Sequence, residues 1–188
     1  ANLLVRKTRE IGLGAVTTRN HHHFGSAGKY SRVASDAGFV GFVVSSHVRR
    51  FQPESSLGSA GGASPMSFAI PSGGEPPLIL DMGTSFVLPR SMDFEEIFRQ
   101  MPSVFFKSLG LGTVCHALGG LMAGIQSLDD GDSDWPAVNQ GSFMMAIDLS
   151  RFASPETFKR QMDQFIRDVQ ALKPFPGEDR TLLPGHLE

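Results

Sequence analysis

Thr17-Thr18-Arg19-Asn20-His21-His22-His23-Phe24-Gly25-Ser26-Ala27-Gly28 is the stretch on which the reading of this chain turns. Just before it, Leu13 to Val16 is a short apolar run that reads as a strand. After it, Ala27 to Ala37 carries Tyr30, Val33 and Ala34 at helical spacing. Three histidines therefore fall where a strand gives way to a helix, and Gly25 and Gly28 let backbone or ligand approach closely there. Turns of this kind often carry binding and catalytic groups, because a rigid scaffold holds them while the turn exposes them.

Outward from this stretch the chain alternates strand and helix. Phe39-Val40-Gly41-Phe42-Val43-Val44 is a continuous apolar run bounded by Gly and Ser, the pattern of a strand buried on both faces. Strand, helix, strand in that order predicts a crossover unit with parallel strands. Residues 1–11 read as a helix with Leu3, Leu4 and Ile11 on one side. Ser67 to Ile70 and Leu78 to Leu80 read as strands, and the second delivers Asp81-Met82-Gly83-Thr84-Ser85 at its carboxyl end, where α/β sheets usually keep their ligands. Asp93 to Met101 reads as a short helix with Phe94, Ile97 and Phe98 inward, stopped by Pro102. Lys107 then opens a glycine-rich apolar helix. Asp129 to Asn139 is polar and reads as a surface loop, and Ser142 to Ile147 as a strand. Ser154 and Pro155 start a helix whose Phe158, Met162, Phe165, Ile166, Val169 and Leu172 recur on one face. The fold class is α/β, a mixed sheet with packed helices. Residues 1–188 form one domain or two interlocked lobes, a cofactor-binding lobe covering about 14–125.

Composition narrows the function classes. Hydrophobic residues make up 40% and charged ones 19% of 188 residues, as in an ordinary globular chain with a proper core. A formal charge of −2 argues against nucleic acid and anionic membranes as partners. One cysteine, Cys115, leaves no intramolecular disulfide framework and fits a reducing compartment; with no secretory signal visible, a cytoplasmic location is expected. Ser108 to Leu128 contains no Asp, Glu, Lys or Arg and is long enough to span a bilayer. Its five glycines, one histidine and one glutamine favour a central helix buried on all sides instead.

Among groups that could carry chemistry, the histidines come first. Neighbouring residues of a strand point to opposite faces, so only His21 and His23 of the run can share a side, and a three-histidine metal site is disfavoured. His23, directly before Phe24-Gly25, is the best placed general acid or base, with His21 and His22 read as solvated loop residues. Asp81 can orient a catalytic group, bind a ribose hydroxyl, or cap the turn at Thr84 and Ser85. Lys107 is either an anion ligand or a lysine snorkelling at a helix end. Arg49 and Arg50 can grip a carboxylate or simply face solvent, while His116 and Cys115 read as helix-interior residues. No Rossmann glycine fingerprint, P-loop or nucleophile elbow is present.

Several stretches, in order along nearly the whole chain, resemble the malate/L-lactate dehydrogenase-like family of NAD(P)-dependent oxidoreductases, which is distinct from the Rossmann-type lactate and malate dehydrogenases. Arg19 to Gly28 resembles the family's Arg-Asn-Ser-x-His-Phe-Gly-Ala-Ala-Gly stretch, and Gly62 to Pro71 its Gly-Thr-Asn-Pro run. Asp81 to Ser85 is similar to Asp-Met-Ala-Thr-Ser, and Lys107 to Leu111 to Lys-Gly-x-Gly-Leu. Leu118 to Gly124 resembles the helix that follows, Asn139 to Phe143 with Ile147-Asp148 the late strand, and Pro184-Gly185 the terminal Pro-Gly-Glu. The chain departs from the family in lacking its N-terminal Ser-His-Gly segment with a nearby arginine, in lacking its last helix, and in having only 21 residues between Ser85 and Lys107.

The resemblance implies a non-Rossmann NAD(P)-binding fold, a homodimer, and hydride transfer on 2-hydroxy or 2-imino acids such as malate or lactate. By position His23 corresponds to the catalytic histidine. Asp81, Met82 and Gly83 correspond to residues lining the cofactor, NAD or NADP, as do Lys107, Asn139, Gln140 and Gly141; His47 or Ser46 falls near a further such position. The expected partner is a small 2-hydroxy or 2-keto acid, with no nucleic acid and no membrane. Two other readings remain: a binding protein that keeps the fold without turnover, and a histidine-centred metal-binding protein.

Overall fold

The computed structural model describes residues 1–49, 52–54, 64–85, 94–125 and 139–186. Arg50, Gly62, Ala63 and the polar loop expected before Asn139 lie outside the described residues, as does the side chain of Phe94.

Among the described residues five strands form one sheet: β1 (Leu13–His21), β2 (Phe39–His47), β3 (Pro65–Ile70), β4 (Leu78–Gly83) and β5 (Gln140–Asp148). Their order is β1-β5-β2-β3-β4, and every recorded pairing is antiparallel. The α/β class with packed helices holds, and β1 and β2 are parallel as a crossover unit predicts, but they are not neighbours. The two do run the same way, as a helical crossover requires, yet β5 lies between them and pairs antiparallel with both. A crossover fixes the relative direction of two strands and leaves room for a third. β5 suits that central place: apart from Asp148 it is uncharged, and its residues are buried or half-buried throughout.

Alternation along β2 explains why its apolar run is continuous. Phe39 and Val43 face helices α1 (Asn2–Ile11) and α2 (Gly28–Asp36), in a core with Leu4, Ala27, Ala34, Met144 and Ala146. Phe42 and Val44 face the other way, toward Cys115, Leu111 and Leu118, with Met66, Met82 and Phe143 from the sheet. Gly41 is the point of closest approach to α2, where a Cβ would lie 2.6 Å from the Ser31 carbonyl oxygen. In α1 the buried side is Leu4 and Thr8, whereas Leu3 and Ile11 are exposed, which corrects the face expected for this helix.

The second layer differs more from expectation. Helix α3 (Phe94–Gln100) is followed at once by α4 (Pro102–His116), so Pro102 starts a helix as well as ending one. Lys107 is therefore an exposed mid-helix residue, not its first. A π-helical turn, Ala117–Leu121, continues α4. This helix is not buried on all sides: only Gly112 and Cys115 of α4 are buried, while Phe106 is 57% and Leu121 66% exposed. One face of the helix and its π-helical turn rests on β2 and β5, and α3 packs beside it. Phe98 of α3 packs edge-on to Phe105 and Phe106 but remains largely exposed.

Helix α5 (Pro155–Gln170) starts as its sequence predicts, the Ser154 side chain accepting the Thr157 N–H at 3.3 Å with Pro155 in the first turn. Ile166 is its one fully buried residue, whereas Phe165 and Leu172 of the expected face are exposed. What ties α5 to the sheet is polar. Asp163 accepts the N–H groups of Gly73, Gly74 and Glu75 at 2.8, 2.9 and 3.1 Å, and Arg167 reaches Glu75 at 3.0 Å. The tail then runs along the edge of β4, where the Ile79 N–H donates to the Pro184 carbonyl at 3.1 Å.

The Gly74 N–H bond, with those of Glu75 and Gly73 and the nearby Arg167, holds the Asp163 carboxyl below its ordinary range against the opposing effect of burial. A depressed folded value stabilises the fold above the unfolded carboxyl value and loses that effect as pH falls through the folded one. Asp163→Asn is expected to lower Tm near neutral pH, and thermal melts should show the gap to wild type closing below about pH 4. A gap that persists unchanged in acid would contradict this role.

Candidate active site

The histidine turn is built by a bulge. Thr18 pairs with Ser142 and His21 with Gln140, so three steps on β1 match two on β5. Asn20 takes up the extra residue in a left-handed conformation, φ 57°, which asparagine tolerates better than most residues. The bulge returns His21 to the face of Ser142, where its Nε2 lies 2.9 Å from Ser142 Oγ and its Nδ1 2.8 Å from the His22 carbonyl. A carbonyl only accepts, so Nδ1 carries the hydrogen and Nε2 accepts from the serine. His21 is thus a half-buried strand residue with both ring nitrogens engaged, not the solvated loop residue expected. Simple alternation could not reveal this, because it presumes an unbulged strand.

His23 is exposed beyond the strand end. Its Nδ1 accepts the Gly25 N–H at 3.1 Å, across a turn that Gly25 permits with φ 80°. A nitrogen that accepts this bond holds no hydrogen, so in the neutral ring the hydrogen is on Nε2. The turn is clamped from α2: Tyr30 Oη donates to the Phe24 carbonyl at 3.0 Å, and the two rings stack 4.9 Å apart. Tyr30 is the only tyrosine in the chain, and the sequence reading placed it merely on a helix face.

Asp81 lies within β4, not after it, and it points to the α2 side. It accepts a short hydrogen bond from Ser26 Oγ, and a Cβ on Gly28 would come within 2.7 Å of its Oδ2. The Asp81 carboxylate therefore meets the histidine turn through Ser26, a contact the sequence reading missed. Met82, one step along, packs on the opposite face with Cys115 and Leu111. Among the described residues nothing lies within 4 Å of a Cβ built on Gly83, at the end of β4. Ser108 Oγ donates to the Thr84 carbonyl at 2.6 Å, which brings the neighbouring Lys107 to this end of the sheet. Gln140 pairs with His21 on one side and His47 on the other, and the Asn139 carbonyl accepts the Val48 N–H at 3.0 Å. Gly141, by contrast, is covered: a Cβ there would be 2.5 Å from the Gly119 carbonyl oxygen in the π-helical turn.

On the α4 side a polar chain closes the same end of the sheet. Arg49 donates to Ser64 Oγ at 2.7 Å and to the Gly112 carbonyl at 3.3 Å. Ser64 donates to Ser46 at 3.4 Å, and Ser46 Oγ lies 3.1 Å from His116 Nδ1. Arg49 is thus a half-buried network member instead of a solvent-facing loop residue, and His116 has the satisfied position expected of it. Burial, then the charges of Arg49 and His47, push His116 below the ordinary histidine value. Burial also drives the Cys115 thiol up to about 11, Arg49 opposing, so it is a protonated packing group near neutral pH. Among the described residues no three His, Cys, Asp or Glu are grouped to hold a metal ion, and the bonds of His21 remove one ligand from the triple-histidine reading.

Comparison with known proteins adds four findings. The family model for malate/L-lactate dehydrogenase matches residues 1–96 and 89–188. Malate dehydrogenase of Pyrococcus abyssi is 25% identical over 97% of this chain and 60% of its own length. Ureidoglycolate dehydrogenase (NAD(+)) of Escherichia coli is 22% identical over 96% of this chain and 60% of its own. The structure of malate dehydrogenase from Pyrococcus horikoshii superposes with a TM-score of 0.75 at 24% identity, over 98% of this chain and 59% of that one, a likeness of fold. The chain thus spans about three fifths of the length of the curated relatives it matches.

Because burial leads and Arg49 follows, ring-resolved NMR should find His116 titrating below the ordinary histidine range. Arg49→Gln is expected to move that midpoint part of the way back up. No upward movement would show that Arg49 does not act on His116.

Proposed function

Since the chain belongs to the malate/L-lactate dehydrogenase family, we propose that it carries the acid–base and cofactor-facing residues of an NAD-dependent dehydrogenase of 2-hydroxy acids. One observation carries this reading: an exposed imidazole at a rigid strand-to-helix turn, held by Gly25 and Tyr30, with the Asp81 carboxylate on the same turn through Ser26.

The residues present fit a nicotinamide dinucleotide by their chemistry. Gly83 leaves open space among the described residues for a flat ring, and the exposed Lys107 supplies a cation for a pyrophosphate. Asn139, Gln140 and His47 offer hydrogen-bonding groups at the sheet end, while Met82 forms an apolar wall behind them. Gly141 contributes packing under the π-helical turn. The name of the E. coli relative specifies NAD(+), which supports NAD over NADP. When bound, this cofactor supplies the hydride acceptor for the substrate C2.

His23 handles the proton. Oxidation of an alcohol would leave positive charge on the nascent carbonyl if the hydroxyl proton stayed, so a base within hydrogen-bond reach lowers the barrier. In the reverse direction the imidazolium, protonated at both ring nitrogens, would give its Nε2 proton to the carbonyl oxygen as that oxygen becomes the hydroxyl. Accepting a proton at Nε2 needs the other tautomer, with hydrogen on Nδ1 and the Gly25 N–H bond released. Turn geometry and proton transfer are thereby coupled, and Tyr30 limits how far the turn moves. The protein's remaining task is orientation of the reactants.

His23→Asn is expected to lower kcat by about 10²–10⁴-fold. NADH should raise Tm equally in wild type and variant, as a ligand selective for the native state must. Full activity in His23→Asn would end the acid–base assignment, and no thermal shift with NADH would end the cofactor assignment.

The same reading includes a homodimer and a cytoplasmic location. Pro102–Leu121 is long and apolar enough to cross a membrane by length and composition alone, yet Gly112 and Cys115 pack on the sheet. Its outer face, with Phe106, Val114, Leu121 and Met122 exposed, suits a second copy. Phe106→Glu with Leu121→Glu is expected to yield monomers in analytical ultracentrifugation. An unchanged sedimentation coefficient, in wild type already monomeric or in a variant still dimeric, would refute this interface.

A further inference from the structure

Of the three consecutive histidines only His23 takes part in the proton chemistry, yet the ring of His21 is bound at both nitrogens. Its Nδ1–H reaches the His22 carbonyl at 2.8 Å, and its Nε2 accepts at 2.9 Å from Ser142, a fully buried residue of β5. The His22 carbonyl belongs to the peptide that leads into His23. On the far side of His23 the Phe24–Gly25 peptide is held in the same manner: Tyr30 Oη donates to its carbonyl, and its N–H donates to His23 Nδ1. The Phe24 ring stacks on Tyr30 at 4.9 Å and lies 5.8 Å from the His21 ring, tilted by 36°. His23 thus sits between one peptide tied to β5 and another tied to α2.

We propose that His21 is a positioning residue for His23, a strut from Ser142 that fixes the His22–His23 peptide. Taking a proton at Nε2 of His23 requires the Gly25 N–H bond to open and later re-form. Tyr30 restrains that movement on the α2 side, and His21 restrains it on the sheet side. The change is thereby confined to Gly25, whose φ of 80° already marks the turn, while the backbone of His23 keeps its place. Ser142 anchors the strut because β5 is paired along both edges, and its hydroxyl at Nε2 leaves the His21 hydrogen on Nδ1, aimed at the carbonyl. Position matters here because a reacting group displaced by about 1 Å can cost about 10²-fold in rate.

The catalytic consequence rests on the dehydrogenase reading, whereas the restraint on His23 does not, so the test reads both. An asparagine amide sits where Nδ1 stands and a glutamine amide where Nε2 stands. His21→Asn with Ser142→Ala therefore keeps the bond to the His22 carbonyl, and His21→Gln keeps only the bond to Ser142. His21→Phe with Ser142→Ala removes both partners at once and leaves no buried hydroxyl unpaired. In the glutamine and phenylalanine variants kcat is expected to fall roughly 10–100-fold, with KM and the rise in Tm given by NADH near wild type. Ring nitrogen NMR should find neutral His23 with its hydrogen on Nε2 in wild type and as mixed tautomers in these two, and the Gly25 amide should exchange faster in them. The asparagine variant should recover most of the rate, the single tautomer and the slow exchange. Wild-type behaviour of the phenylalanine variant, or asparagine and glutamine variants that behave alike, would overturn the role. So would losses of rate that merely follow losses of Tm. A wild type that neither binds NADH nor turns over any 2-hydroxy acid would sink the dehydrogenase reading, and the His23 tautomer and Gly25 exchange alone would then decide the role of His21.

Discussion

The structure depends on β5 lying between β1 and β2. A nine-residue strand, uncharged apart from Asp148 and hydrogen-bonded along both edges, fixes the register of the whole sheet end, with His21 and His47 on either side of Gln140. Each backbone bond nets only about 0.5–1.5 kcal/mol. Their effect is positional: a one-residue slip would turn every side chain of β5 to the opposite face and separate Met144 and Ala146 from the α1–α2 core. The bulge at Asn20 is defined only against that register, and the histidine turn follows from the bulge.

Around this centre the two faces of the sheet take different roles. On the α2 side, Tyr30 and Ser26 tie the histidine turn to the helix and to β4, while His23, Lys29 and Arg32 stay exposed. On the α4 side, the chain from Arg49 to His116 fills the sheet end with hydrogen-bonded side chains, and the π-helical turn is pressed close enough that a Cβ on Gly119 or Gly141 would lie within about 3 Å of the backbone. A reactive turn on one side is thereby backed by a packed layer on the other, the arrangement that a site built for orientation needs.

Much of this was legible in the sequence because it is set locally. The unbroken apolar run of Phe39 to Val44 marks a strand covered on both faces, and Ser154-Pro155 marks a helix start. The histidines do sit at a strand-to-helix turn, and the α/β class follows from the alternation. What was not legible depends on partners distant in sequence. The place of β5 between β1 and β2 is a choice among neighbours that local pattern does not encode. His21 was misread because the bulge exists only relative to Ser142 and Gln140. The exposure of α4 was misread because a run of apolar and small residues looks the same whether a helix is covered on one side or on all. Ser26 and Asp81 meet only after β4 is placed beside α2, although Asp81 is a candidate site residue and Ser26 lies in the histidine stretch.

The most direct measurement is the fate of the hydrogen on C2 of the substrate. With a 2-hydroxy acid deuterated at C2 and NAD⁺, NMR of the reduced nicotinamide should find the deuterium on its ring, and turnover should slow relative to the undeuterated acid. Hydride transfer with His23 handling only the hydroxyl proton requires the deuterium on the ring, and turnover slows where that step limits the rate. Deuterium lost to water, or a ring hydrogen drawn from solvent, would contradict the account.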